Sequence, residues 1–462
     1  MTIAEGDVSV KRAREALNQA MQFHMAGELD LARERYCEVL AHQYRVADIL
    51  PLLAGIAALR GDVKAAMSWW TDLLLLKPDH VVALLEKGAL LLRVGERAEA
   101  IACFEMASAL SPDNPLALNN LSVALAQADR HHEALNGFRR LARLQPESVM
   151  PQHQVRRITS RIVPFWHIPM LNDVRRNDAF EAAIIRAVAE CGPNAQVLDI
   201  GAGSGLLSMM AARAGARNIV TCEAVPVIAE AAERIIERNG FADRIDVINK
   251  ISTDLAVGCD LISRADILIS EILSSDLLAE DVLSTFEDAH ARLIKEDALV
   301  IPRAATAVGC LVESDVLEDY CFVNEVSGFD VSEFSKLSTN RLPVHGTMTD
   351  WRRLSPDIDL QTIDLTRKRH TEELRQLEIP VMADGVATGI IQWMRIDLAD
   401  GVEFSNHPKD YCDGGWLQVL HPFPKPIEVR QGSTLSIVAG HDRSSLILMP
   451  KPRTDDQFVS VN

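Results

Sequence analysis

Two glutamates nine positions apart, Glu271 and Glu280, frame the stretch SEILSSDLLAE, which follows the strand-like run Ala265-Asp266-Ile267-Leu268-Ile269. Acids at the carboxyl end of a buried strand face the crevice where open α/β sheets take their ligands. Two carboxylates there can grip a planar cation through charge-assisted hydrogen bonds of fixed geometry, and guanidinium matches that grip. Taken singly, each acid has a plainer reading: Glu271 closes a strand and Glu280 rides on a helix surface.

Upstream, Gln196 to Gly205 reads QVLDIGAGSG. Val197 to Ile200 predict a short buried strand containing Asp199, and Gly201, Gly203 and Gly205 turn the chain into a helix over Leu206–Ala214. Glycine is required where the backbone must turn sharply and approach a ligand. A second strand, Asn218–Cys222, ends in Glu223, whose carboxylate can accept both hydroxyls of a ribose. A third, Ile245–Asn249, leads into KISTDL and places Ser252 to line an adenine. Dinucleotide folds more often carry GxGxxG and aim the helix dipole at a pyrophosphate. Here Leu206 holds the sixth position, which favours S-adenosylmethionine over NAD.

These residues need a scaffold, and the chain of 462 residues is long enough for two or three domains. Its first third repeats with a period of 34. Gly27, Gly61, Gly95 and Asp129 fall in register, as do Ala32, Ala66, Ala100 and Ala134. So do Tyr36, Trp70, Phe104 and Phe138, and the small column Ala20, Ala54, Gly88 and Ser122. Small residues let antiparallel helices approach, Gly or Asp turns the chain, and the aromatic fills the core beside the alanine. Pro78, Pro112 and Pro146 close three repeats. The pattern resembles the tetratricopeptide repeat (TPR), an α-solenoid whose concave groove takes a protein partner. The plainer alternative is an array that only buttresses the next domain. Residues 147–165 read as a polar connector, followed by a helix that starts near Asn172.

From about Arg303 the text changes to alternating runs, Thr306–Glu313, Gly389–Leu398, Trp416–Leu420 and Thr434–His441, which predict antiparallel strands. The tail after Pro450 is polar and expected to fray. A formal charge of −18 argues against a nucleic-acid partner and suits a basic one. No apolar run approaches the ~18 residues of a membrane helix, and the N-terminus has no apolar core behind its charges. Eight scattered cysteines without a CxxC pair fit a reducing, cytoplasmic setting.

Read together, WHIPMLNDVRRN, VLDIGAGSGLLSMMAARAGA, CEA, VINKISTDL, SEILSSDLLAE, DGVATGIIQWMRIDL and GGWLQVLHPF resemble the protein arginine N-methyltransferases over about residues 162–440. The likeness is greatest to their 7- and 9-like members, which carry two methyltransferase modules where this chain has one. The repeat pattern places the TPR array over 10–147, and the methyltransferase resemblance implies a Rossmann-like S-adenosylmethionine-binding domain over 160–302. A substrate-binding β-barrel over 303–452 follows, with a dimerisation-arm-like insertion from GFDVSEF to TDWRR. It further implies that Glu271 and Glu280 clamp the target arginine and that Arg176 binds the carboxylate of the methionine portion. Asp199, Gly201, Gly203, Glu223 and Ser252 complete the cofactor site. Met170, Asp173 and Trp416 stand on the substrate side, with no metal. The expected reaction is methyl transfer to a guanidino nitrogen of protein arginine, giving a monomethyl or asymmetric product, by an enzyme that can pair as a homodimer.

One departure stands out. In CDGGWLQ the family's threonine-histidine-tryptophan loop keeps Trp416 but has Gly415 where histidine is expected, so Asp173 lacks its family partner. His407 lies nearby, off register. The alternatives are a methyltransferase for a small molecule or another amine, and a repeat scaffold with a decayed catalytic fold.

Overall fold

In the computed structural model, which describes residues 3–410 and 414–451, the chain opens with nine helices. They are Ile3–Met25, Leu29–Ala41, Val46–Leu59, Val63–Leu76, Val81–Val94, Arg97–Leu110, Pro115–Gln127, His131–Leu144 and Val149–Ile162, each packed on the next. Gly27, Gly61 and Gly95 take φ of +76°, +77° and +90°, and Asp129 takes +58°. The turn thus demands a left-handed residue, and Asp is among the few side chains that tolerate one. The alanine and aromatic columns are buried throughout. A Cβ added to Gly88 would lie 2.6 Å from the Phe104 ring, so the small column is where the aromatic of the following helix seats.

The connector read at 147–165 is corrected: most of it is the ninth helix, packed on His131–Leu144. Its composition hid it because only Pro151 and Ile158 are buried. That narrow stripe suffices to cover the last pair while the rest stays solvated. This helical unit ends at Pro164 and the second begins at Phe165. The first 164 residues hold 19 basic and 19 acidic side chains, against 28 and 46 in the remainder. The whole net charge therefore belongs to the second unit.

The second unit is organised by a parallel sheet of β1 (Gln196–Ile200), β2 (Asn218–Cys222), β3 (Ile245–Ile248), β4 (Ala265–Ser270) and β5 (Ile294–Ile301). Their spatial order is β3-β2-β1-β4-β5, so the order reverses between β1 and β4. All five residues of β1 are buried, as a strand covered on both faces requires. The carboxyl ends of β1, β2 and β4 bring the glycine turn, Glu223 and Glu271 to that switch point.

Beyond β5 come a seven-stranded sheet centred on Ala304–Glu313, Gly385–Ala399 and Gln418–Val429, and a three-stranded sheet of Glu373–Pro380, Thr434–His441 and Leu446–Pro450. One apolar core runs from Ile267 and Leu268 of the parallel sheet to Leu360, Ile390 and Met394 of this region. Trp416 precedes its strand, which starts at Gln418. Cys412, Asp413 and the tail from Pro452 lie outside the described residues. Among the described residues no helix is long and apolar enough to cross a membrane.

Glu287, on the helix Val282–Asp288 just past Glu280, fastens the two parts of this unit. It accepts the backbone N–H of His370 at 2.7 Å, the His370 ring at 3.1 Å and the Arg443 guanidinium at 3.0 Å. Arg443 first, then His370, hold its carboxyl down to about 2 from an ordinary 4.5. A depressed carboxylate stabilises the fold above its unfolded pKa and ceases to do so as pH falls through the folded one. Glu287→Gln should therefore lower the free energy of unfolding read from urea titration at neutral pH, by on the order of 2–3 kcal/mol allowing for solvent screening. The gap to wild type should close between about pH 4.5 and 2. A gap of constant size across that window would refute the role.

Candidate active site

The stretch from Glu271 to Asp281 is an irregular loop, with Leu277, Glu280 and Asp281 at φ of +76°, +77° and +55°. The helix-surface reading of Glu280 therefore fails, because helix begins only at Val282. Both acids instead hang from one constrained segment, Glu271 buried beneath it and Glu280 reaching solvent.

Arg176 lies on the helix Val174–Cys191, whose first turn is capped by Asp173 accepting the Arg176 N–H at 3.0 Å. Asp173, without the family's histidine, thus has structural work at the helix start. The Arg176 guanidinium donates to Glu271 Oε2 and, at 2.9 Å, to Asn177. It stacks between Trp416 at 5.2 Å and Phe180 at 5.3 Å. Arginine and glutamate side chains are each only 4% exposed. Three buried polar atoms face no protein partner: Glu271 Oε1, Arg176 Nε and Asp199 Oδ1. Buried carboxylate and guanidinium atoms rarely stay bare in a complete site. A bare acceptor on Glu271 and a bare donor on Arg176 fit an incoming guanidinium and an incoming carboxylate respectively.

Burial pushes the Glu271 carboxyl up, to about 7, against the pull of Arg176, and the charges of Glu280 and Asp199 add to the rise. Glu280 is raised by partial burial and then by Glu223. Asp199 is pushed up to about 6 by burial, held back by its hydrogen bonds from Ser208 and Thr221. These four acids therefore share one electrostatic neighbourhood, which rewards a cation.

The glycine turn opens the other side. Gly201 and Ala202 donate to the Cys222 carbonyl at 3.0 and 2.9 Å, drawing the turn across the end of β2. Gly203 and Val225 donate to the two oxygens of Glu223 at 3.1 and 2.9 Å, which aims that carboxylate at the turn. Ser252 heads a short turn after β3 and is buried, and its carbonyl receives Arg292 at 3.3 Å.

Trp416 Nε1–H donates to the Leu273 carbonyl at 2.9 Å, and the Leu417 N–H donates to Ser275 at 3.1 Å, so this segment grips the acidic loop directly. Gly415 faces Met170: an added Cβ would lie 2.6 Å from Met170 Cγ and 2.7 Å from its Cα. His407 stands on the Trp393 ring and pairs with Asp357 at 3.3 Å. The structure thus brings Arg176, Asp199, Glu223, Glu271, Glu280 and Trp416 together, with Met170 meeting them through Gly415. Sequence reasoning missed Phe180 and Asn177, although Phe180 stands four residues after Arg176 on one helix face, a spacing that could have flagged it. It also missed Asn406, which carries no sequence signal.

A model of the ribosomal protein L11 methyltransferase (PrmA) family matches residues 185–302, the span of the parallel sheet. The chain is 38% identical over 302 residues to an arginine N(omega)-methyltransferase of Streptomyces achromogenes subsp. streptozoticus, covering 65% of this chain and 82% of that one. It is 29% identical over 323 residues to protein arginine N-methyltransferase 7 of Drosophila ananassae, covering 60% of this chain and 46% of that one. Among solved structures, the Trypanosoma brucei PRMT1 enzyme-prozyme heterotetrameric complex with AdoHcy shares the fold at a TM-score of 0.53 and 23% identity. That likeness covers 62% of this chain and 92% of the other.

Proposed function

The chain belongs to the arginine N-methyltransferase family, and from that membership we propose that it methylates protein arginine at the Glu271–Glu280 loop, with S-adenosylmethionine as cofactor. The observation that carries this reading is the guanidinium already seated on Glu271 between two aromatic rings, beside a second, bare oxygen of the same carboxylate. Arg176 fixes Glu271 through Oε2, which leaves Oε1 for the target arginine. Glu280 grips the same guanidinium from the solvent side. Arginine stays protonated at physiological pH, so its nitrogens are poor nucleophiles. Two carboxylates draw the positive charge toward the nitrogens they hold and return lone-pair character to the third. When bound, the cofactor supplies an electrophilic methyl group on a sulfonium. The chain's part is alignment: Glu223 and the turn at Gly201 and Gly203 hold the nucleoside, and the bare Arg176 Nε takes the carboxylate. Such positioning accounts for up to ~7–11 kcal/mol of barrier in favourable cases.

Attack releases one N–H proton, and the raised Glu280 carboxylate can pass it to solvent, so no histidine at 415 is required. Only ionised Glu271 supplies the negative charge that polarises the target guanidinium. With its pKa near 7, kcat/KM should climb with pH up to about 7 and level off above. A profile flat from roughly pH 6 to about pH 9 would contradict the assignment.

The nine helices are proposed as a TPR array that presents a protein substrate or partner, and the two antiparallel sheets as the barrel-like wall of the arginine groove. Tyr320, Phe329, Phe334 and Leu337 are exposed around the arm-like insertion, which supports a homodimer. The setting is cytoplasmic, and the product is monomethylarginine first, asymmetric dimethylarginine second. The test is incubation with labelled S-adenosylmethionine and arginine-rich peptides, then hydrolysis and identification of the methylarginine. Absence of any labelled arginine derivative refutes the proposal. Because the name of the Streptomyces relative specifies arginine without protein, free arginine forms a second arm. Label there alone selects the small-molecule reading.

A further inference from the structure

Asn406 is fully buried and joins three segments. Its Oδ1 accepts the Met394 N–H at 2.7 Å, on the long central strand Gly385–Ala399. Its Nδ2 donates to the Trp416 carbonyl at 3.2 Å, and its own carbonyl accepts Gln418 Nε2 at 2.8 Å. Trp416 and Leu417 in turn bond Leu273 and Ser275, two and four positions past Glu271. A continuous path of hydrogen bonds therefore runs from the core of the antiparallel sheet to the catalytic loop.

We infer that Asn406 is a positioning residue for the Glu271–Glu280 loop, doing through the Trp416 segment the fastening that a histidine at 415 would be expected to share. This rests on the proposed function for its kinetic consequence alone. An irregular loop with three left-handed residues has little local reason to keep one conformation. Its carboxylates need near-attack geometry, and a misplacement of ~1 Å can cost about a hundredfold in rate. An amide suits the place because one atom, Oδ1, accepts an N–H while a second, Nδ2, donates to a carbonyl, whereas a hydroxyl would have to do both from a single oxygen.

Asn406→Asp is the informative variant in the full-length protein. It keeps the volume and the acceptor for Met394 but sets an oxygen against the Trp416 carbonyl. Amide hydrogen exchange over 271–281 should quicken about tenfold while β1 and β4 stay protected. In the same protein kcat should fall roughly tenfold to a hundredfold, with the affinity for S-adenosylhomocysteine held within about twofold. Unchanged exchange over 271–281 overturns the inference. So does exchange quickened throughout 385–429, which marks a general structural role. Should Asn406→Asp fail to fold, Ser275→Ala, which removes the acceptor for Leu417, decides by the same exchange measurement. If the wild-type enzyme methylates no arginine substrate, the proposed function fails while the exchange result still judges Asn406.

Discussion

Replacing Glu271 with glutamine should reduce methyl transfer roughly 10^2- to 10^3-fold while cofactor affinity is retained, the scale seen when one preorganised electrostatic contact to a reacting group is lost. The substitution keeps shape and removes charge. The amide oxygen of the Glu271→Gln variant could still accept from Arg176, so the first turn of the helix Val174–Cys191 should hold. What disappears is the carboxylate oxygen turned toward the target, and with it half of the pull that polarises the guanidinium. Single-turnover transfer of labelled methyl, beside titration with S-adenosylhomocysteine, separates the two effects. Transfer at the wild-type rate would remove Glu271 from the reaction.

Restoring the family's histidine at position 415 should impair the enzyme rather than improve it. The Cβ of any side chain there would press within 2.8 Å of Met170 N, Cα and Cγ, two of them backbone atoms that cannot swing aside. Relief requires moving the short helix His167–Asn172 or the Trp416 segment, and overpacking of this kind costs about 1–3 kcal/mol. Because Asp173 and Arg176 follow directly on that helix, the displacement reaches the carboxylates, and turnover should drop about tenfold or more. Gly415→Ala should already show most of the loss. A Gly415→His enzyme as active as wild type would mean that Met170 does not rest where the structure places it. The glycine is then a seat for the preceding helix, and the scaffold reading loses the feature that motivated it.

Much of the molecule was legible because its signals are local. The turn column was readable even at Asp129, since left-handed backbone restricts residue choice, and β1, β2 and β4 were readable as short apolar runs ending in Gly or Glu. The ninth helix was not, because it buries too little to show a period. Within the site, the types of Arg176, Glu223, Glu271 and Glu280 were legible, but their mutual arrangement was not. That Arg176 spends one arm on Glu271 depends on a contact across 95 positions. Gly415 looked like a loss because a glycine's reason lies in its neighbour, and Met170 is far away in the chain. Asn406 was invisible for the same reason: a single buried amide among strands has no spacing to betray it.

The uneven partition of charge gives ionic strength a selective grip on the protein. Added salt shortens the reach of the field around residues 165–462, with a Debye length of ~10 Å at 0.1 M and ~3 Å at 1 M. Capture of a basic substrate by that half should weaken accordingly, chiefly through a slower on-rate. The helical half has no net charge to screen, and whatever it holds through apolar contact stays bound. A salt step on the full-length protein should therefore release an arginine-rich peptide held by residues 165–462, and any ligand that resists the step is held by something other than that field.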